Sequence, residues 1–299
     1  MLRHLAVVTT VLALGAVPSS GATVVADTLG CGLMPSDLGA GSAGLRAGAR
    51  EPSGYKDPPI DEAPSSGGPF KATIAVRFHI FMDGSIGYLP PSTLRRQIDV
   101  LNATYGGRDG GTGFSFTYAG ADYTDNATWF HSLIPGTRIE QQAKSATHVG
   151  DASVLNIWTT DGAAYLGFAR FPSWYKRSPE LDGVVLDFNS FPGGPYGSEY
   201  SLGKTATHEV GHWLGLLHTF QGACNAKGDY VDDTPAEGVP TTGCPADKDS
   251  CPAPGTDPVH NYMDYSYDSC YERFTAGQAA RMRDQWSWFR ADGGRAVGR

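Results

Sequence analysis

From Lys71 the chain reads KATIAVRFHIFMD, with apolar and polar side chains alternating over more than eight positions. That period of two predicts a half-buried strand and places the start of the folded domain near residue 70. The next segment, PPSTLRRQIDVLNATY, sets Leu94, Ile98 and Leu101 on one helical stripe behind Pro90 and Pro91, with Ser92 or Thr93 as the expected cap. GFSFTYAGADY, VLNIWTTD and GVVLDFN, bounded by Gly, Asn and Asp, read as further strands. SLGKTATHEVGHWLGLLHTF is a second helical pattern, with Val210, Trp213, Leu214 and Leu217 apolar. Residues 221–273 lose all periodicity and are rich in Cys, Asp and Pro, and a last helix follows over TAGQAARMRDQWSWFR, with Ala279, Met282, Trp286 and Phe289 at helical spacing. No internal repeat is visible. Strands and helices mixed in this order predict an α+β or α/β sheet, followed by a loop-dominated second lobe.

The N-terminus carries no such pattern. Arg3 and His4 precede an apolar run from Leu5 to Val17, then Ser19, Ser20, Gly21 and Ala22, which reads as a secretory signal peptide over residues 1–22. An uncleaved N-terminal anchor is the competing reading, but the run is shorter than the ~20 residues a membrane span needs. Residues 23–69 are rich in Gly, Pro, Ser and Ala and read as a pro-segment and linker. Residues 70–299 are then the folded domain, with an upper lobe over about 70–218 and a lower lobe over about 219–290.

Composition narrows the function. The 299 residues hold 23 Lys plus Arg against 31 Asp plus Glu, a net charge of −8, the wrong sign for wrapping phosphate backbones. A nucleic-acid partner is not expected; nor is an integral membrane segment. In an exported chain, the four cysteines Cys224, Cys244, Cys251 and Cys270 are expected to form two bridges, with three connectivities open. Cys31 is left over near the mature start.

The decisive string is HEVGHWLGLLH, residues 208–218, which has the form H-E-x-x-H-x-x-G-x-x-H. His208 and His212, at i and i+4, project from one helical face and can share a metal. Gly215 lets the chain leave the helix, so that His218 swings back as the third ligand. Three neutral imidazoles leave a fourth position to water, the mark of a catalytic zinc site rather than a closed structural one, and Glu209 is placed to act on that water. The pattern arises by accident on the order of 10⁻⁵ per chain. The remaining histidines, His4, His79, His131, His148 and His260, lack ligand spacing and read as surface or satisfied core groups.

Downstream, HNYMDYS puts Met263 in a turn with Tyr265 two residues later. With the elongated histidine motif, this resembles the metzincin metalloproteases. The strings GDYVDDTP, CPADKDSCP, DPVHNYMDYSYDSC and RFTAGQAARMR make the chain similar to the pappalysin family of that group over roughly residues 70–290. The resemblance implies a metzincin-type zincin fold: a twisted mixed sheet with the active-site helix in an upper lobe, and an irregular lower lobe ending in a helix. It further implies a Met263 floor beneath the metal, Tyr265 assisting catalysis, and bridges Cys224–Cys251 and Cys244–Cys270. Family members carry calcium near the active site, and Asp229, Asp232, Asp233 and Thr234 offer the hard oxygens calcium prefers. A solvated acidic loop capped by Pro235 is the equal competitor. Cys31, in TLGCGLMP, resembles a latency cysteine that holds the water position until the pro-segment is removed, with a plain free thiol as the alternative. Asn102 and Asn126 each open an N-x-Thr sequon.

The expected activity is secreted, zinc-dependent endopeptidase cleavage of extracellular proteins by a monomer. An extended peptide would lie antiparallel to an exposed strand edge, for which residues 166–172 are the choice, and Asp268 would favour a basic side chain after the scissile bond. The competing functions are a zinc hydrolase of non-peptide amides or esters, and a secreted zinc-ordered binding protein.

Overall fold

A computed structural model describes residues 30–31, 70–107, 111–162, 165–225 and 228–294. The signal-peptide and pro-segment readings therefore lie outside the described residues, except for the two-residue strand β1, Gly30–Cys31.

The strands predicted from alternation are β2 (Ala72–Met82), β3 (Phe114–Asp125), β4 (Val154–Thr160) and β6 (Val184–Asp187), and β5 (Tyr165–Ala169), in the segment expected to form the edge, has only the two-residue β1 outside it. Together with β1 they form a sheet of order β1-β5-β6-β4-β2-β3, parallel at every pairing except β5 with β6. A mostly parallel sheet needs both faces covered. Ile74, Val76, Phe78, Ile80, Leu155, Ile157, Val184 and Leu186 point into one core, shared with the helices on that side. Phe81, Trp158, Phe168 and Val185, at the intervening positions, point into a second core.

Helix α1 (Pro91–Gly106) covers the first face beside the helix that carries His208 and His212. It starts one residue before the expected cap, with Pro90 at the N-cap position and no side-chain cap. Pro91 supplies a φ already suited to a first turn, and the Pro90 carbonyl accepts from Thr93 N at 2.8 Å. The second face is covered by two helices that periodicity did not reveal, α2 (Ala127–Ser132) and α3 (Arg138–Thr147). After a short turn, α4 (Gly197–Tyr200), comes α5 (Lys204–Trp213), which ends well before the residue-220 limit of its sequence pattern. Residues 214–275 contain no helix or named strand among the described residues and carry two disulfides, Cys224–Cys251 and Cys244–Cys270. Helix α6 (Ala276–Phe289), the last α-helix among the described residues, starts behind a Thr275–Gln278 capping box.

Candidate metal centre

The centre is built on α5. Gly203, at φ 84°, is its N-cap, and the Asp268 Oδ2 atom accepts from Leu202 N at 2.8 Å and Lys204 N at 3.2 Å. Asp268 is thus buried at the positive end of the helix, where burial pushes its carboxyl up to about 6. This differs from the sequence expectation: the Asp268 charge answers a helix end rather than a bound basic side chain.

Helix α5 stops where the histidine motif needs it to. The Val210 carbonyl accepts from Leu214 N, the His212 carbonyl from Gly215 N, and the Gly211 carbonyl from Leu216 N, each at 2.9 Å. Gly215 sits at φ 95°, and a Cβ there would meet the Gln285 side chain at 2.5 Å, so both conformation and space call for glycine. The chain reverses, and His218 returns to the two helical histidines.

The Nε2 atoms of His208 and His212 are 3.1 Å apart, and those of His212 and His218 are also 3.1 Å apart. Two ligands at ~2.0–2.1 Å from a tetrahedral ion are separated by about 3.3 Å, so the spacing suits zinc. The Nδ1 atom of His208 donates to the Tyr262 carbonyl at 2.7 Å, and that of His212 to the Leu216 carbonyl at 2.7 Å. Those bonds fix the tautomer, leaving each Nε2 lone pair aimed at the common point. Burial pushes all three imidazoles down: His208 and His218 well below the ordinary value, His212 to about 4. The donor set is therefore neutral, buried and convergent, the chemistry a zinc ion requires.

Around the triad the contacts are close. Phe220 stacks on His218, with centroids 4.7 Å apart and planes 10° apart. The half-buried Tyr265 ring lies 4.9 Å from His218 and 5.8 Å from His208. Met263 is fully buried beneath α5; a Cβ on Gly211 would fall 2.5 Å from its sulfur. The turn holding Met263 is fastened to α6 by a reciprocal amide pair, Asn261 Nδ2 to Gln278 Oε1 at 2.8 Å and Gln278 Nε2 to Asn261 Oδ1 at 3.0 Å. Glu209 is buried and lies against the edge strand: a Cβ on Gly167 would come within 2.8 Å of Glu209 Cγ and 3.0 Å of Oε1.

Sequence reasoning missed four of these functional contributors. Gly167 acts by what it lacks, and the Tyr262 and Leu216 carbonyls act through the main chain; none of the three has a motif. Phe220, two residues past the last histidine, was within reach of inspection.

The other expected site residues scatter. Asp229 is buried; its Oδ1 accepts from Val231 N at 3.1 Å, and burial pushes it up to about 7 against the lowering pull of the Val231 amide and the Thr234 hydroxyl. The Thr234 hydroxyl faces the Asp229 carboxylate. Asp232 is exposed, and Asp233 Oδ2 accepts from Gly277 N at 2.8 Å, at the start of α6. Among the spare histidines, His79 is buried 2.9 Å from both Asp122 and Asn156, His131 lies between Asp161 and Asp83 at 2.5 and 3.1 Å, and His260 donates to the Cys270 carbonyl. His148 is half-buried, and His4 lies outside the described residues. Cys244 and Cys270 come within ligand range of His260, but both sulfurs are spent in their disulfide. Asn102 is tied to the Phe116 main chain through both side-chain atoms, and Asn126 caps α2.

The peptidase M43 family profile, described as pregnancy-associated plasma protein-A, matches residues 152–287. An extracellular metalloprotease of Colletotrichum graminicola is 44% identical over 227 residues, covering 73% of this chain and 78% of its own. Another, of Arthroderma benhamiae, is 43% identical over 226 residues, covering 73% and 74%. Among solved structures, a Tannerella forsythia promirolysin mutant superposes with a TM-score of 0.66 at 28% identity, covering 79% of this chain and 86% of that one. Mature mirolysin from the same organism, in complex with a cleaved peptide, gives 0.62 at 29% identity over 76% and 94%.

Proposed function

We propose, from the premise that this chain belongs to the peptidase M43 metalloprotease family, that His208, His212 and His218 hold one zinc ion and that Glu209 is its general base. The protein is a secreted metalloendopeptidase acting on peptide bonds. The observation that carries the site assignment is the convergence of three buried, neutral imidazoles beside a buried carboxylate that touches an edge strand.

When bound, zinc polarises the scissile carbonyl and acidifies the attacking water. Everything else falls to the chain. The substrate main chain adds antiparallel to the edge of β5, so its scissile bond passes over Gly167 and Glu209. Glu209 takes the proton of the water as it attacks and delivers it to the departing amine nitrogen. The Tyr265 hydroxyl donates to the oxygen that gains charge at the carbonyl carbon. Met263 packs under α5 and keeps His208 and His212 at their spacing. A Glu209→Ala variant is expected to keep its zinc, measured by elemental analysis, while casein cleavage disappears; casein turnover by that variant would overturn the assignment of the base.

Two finer readings belong to the same proposal. Asp229 and Thr234 are a calcium site in part: they bring two hard oxygens together, and a divalent cation would relieve the burial that pushes Asp229 up. Asp232 and Asp233 are left out of it. Residues 23–69 keep the enzyme latent: β1 pairs with β5, Cys31 opposite Gly167, on the very edge the substrate needs. Cys31 then serves as the blocking thiolate. A Cys31→Ser chain should show activity before its pro-segment is removed; a Cys31→Ser chain as silent as the parent would refute this.

A further inference from the structure

The face of β5 turned toward α5 carries small residues and then a large one. Gly167 faces Glu209, and Ala169 packs in the same core as Ala206 and Val210 of α5, whereas Phe168 points to the opposite core. Carried two residues past the strand with extended dihedrals (φ −69°, ψ 148°), the same alternation brings Phe171 to the metal-centre face. Its half-buried ring lies 5.5 Å from that of His212 and meets Trp174 edge-on at 5.3 Å. The neighbouring charge is occupied: Arg170 is paired with the buried Glu140 at 2.7 Å. Beside His212 the two half-buried rings form an aromatic wall, backed where Trp174 packs against the second core and lies under the Arg170 guanidinium at 5.9 Å.

The polarity of the strand decides which half of a substrate meets that wall. An antiparallel peptide places its N-terminal half alongside the C-terminal end of β5. Four residues from Gly167 to Phe171 span about 13 Å at ~3.3 Å per residue. Residues two to four positions before the scissile bond fall there. That the edge accepts a strand at all is seen in its pairing with Gly30–Cys31.

We infer that Phe171 and Trp174 form a specificity wall that selects a bulky apolar or aromatic side chain two to four residues before the scissile bond. The inference rests on the protease reading and on pairing of the peptide with β5. Packing on two aromatic faces rewards area and ring geometry, which a small or acidic side chain does not supply.

The test is cleavage-site mapping of a randomised peptide library by the mature zinc enzyme, its Phe171→Ala and Trp174→Ala variants, and Phe171→Leu. The parent should enrich aromatic and large aliphatic residues at one of those three positions. Phe171→Ala should lose the enrichment, with kcat/KM on the best peptide falling about tenfold, mainly through KM. Preferences after the bond should stay unchanged, and Phe171→Leu should keep aliphatic residues while losing aromatic ones. Trp174→Ala should weaken the same position, which keeps the test available if Phe171→Ala does not fold. A parent enzyme that cleaves with no apolar preference there, or variants that retain it, would overturn the inference; enrichment of basic residues at that position would also overturn it. A parent that cleaves nothing would instead strike at the protease reading.

Discussion

The sheet-bearing region, residues 70–213, and the irregular region, residues 214–275, hold themselves together differently, and the metal centre sits where they meet. The first buries apolar residues on both faces of its sheet, and its buried carboxylate Glu140 is matched with Lys144 at 2.9 Å and Arg170 at 2.7 Å. The second has no sheet to stack on. It relies on two disulfides spanning 27 and 26 residues and on buried polar groups. Lys248 shows the manner of it: its ammonium meets Glu237 Oε1 and the Val239 carbonyl at 2.5 Å and Asp257 Oδ2 at 2.7 Å, so all three of its protons are used. Glu237 in turn accepts from the Thr219 hydroxyl at 2.6 Å, one residue after His218. Two of the proposed ligands thus come from a packed helix and the third from a cross-linked loop. Loosening the loop is therefore expected to withdraw the proposed third ligand without unfolding the sheet.

The contrast can be broken at four points. The largest effect is expected from Phe78→Ala, which opens a cavity in the sheet core and should cost about 3–5 kcal/mol in urea unfolding, equally with or without reductant. Next, Cys244→Ser with Cys270→Ser should cost about 2–4 kcal/mol. In that variant, hydrogen exchange should rise in residues 214–275 while β2 and β4 stay protected, and activity should vanish through loss of His218.

The third point is pH. Asp229 and Glu237 are each pushed up to about 7 by burial, in the case of Glu237 with Asp264 adding to it. In the folded state they hold protons that the unfolded chain has released above about pH 4. Their contribution is therefore complete below that pH and is lost as the pH rises through 7. Stability should drop by about 1–3 kcal/mol between pH 5 and pH 8, and Asp229→Asn should flatten the decline. Millimolar calcium should restore the Asp229 share of the loss at pH 8 and do nothing at pH 5. In the sheet region Glu140, held down by Lys144 and Arg170 against the pull of burial, has the opposite sign, with its stabilisation lost only as the pH falls below the ordinary carboxylate range. The last point is Gly167→Ala: its Cβ would meet Glu209 Cγ at 2.8 Å and the Val185 carbonyl at 2.9 Å, so it should cost about 1–3 kcal/mol, and turnover should fall about a hundredfold as the Glu209 side chain is displaced.

The same division explains what the sequence disclosed. Strand β2 was legible because Ile74, Val76, Phe78 and Ile80 alternate with smaller or polar residues, and α6 because Met282 and Trp286 recur at helical spacing. The histidine spacing was legible because a metal shared by i and i+4 needs nothing from elsewhere in the chain. Helix α3 was not: its buried positions include Glu140 and Lys144, which satisfy each other, so the buried stripe is charged and carries no apolar period. The role of Gly167 was hidden because it depends on Glu209, brought near only by the fold. The buried Asp268 read as a pocket charge because the chain alone does not reveal that Leu202 and Lys204 offer it amides.

The most direct test of the central claim is the zinc content of the purified mature protein. One zinc per chain, lost when His218 is replaced by Ala, is the predicted result. A mature protein that cleaves casein while holding no tightly bound metal would contradict the account.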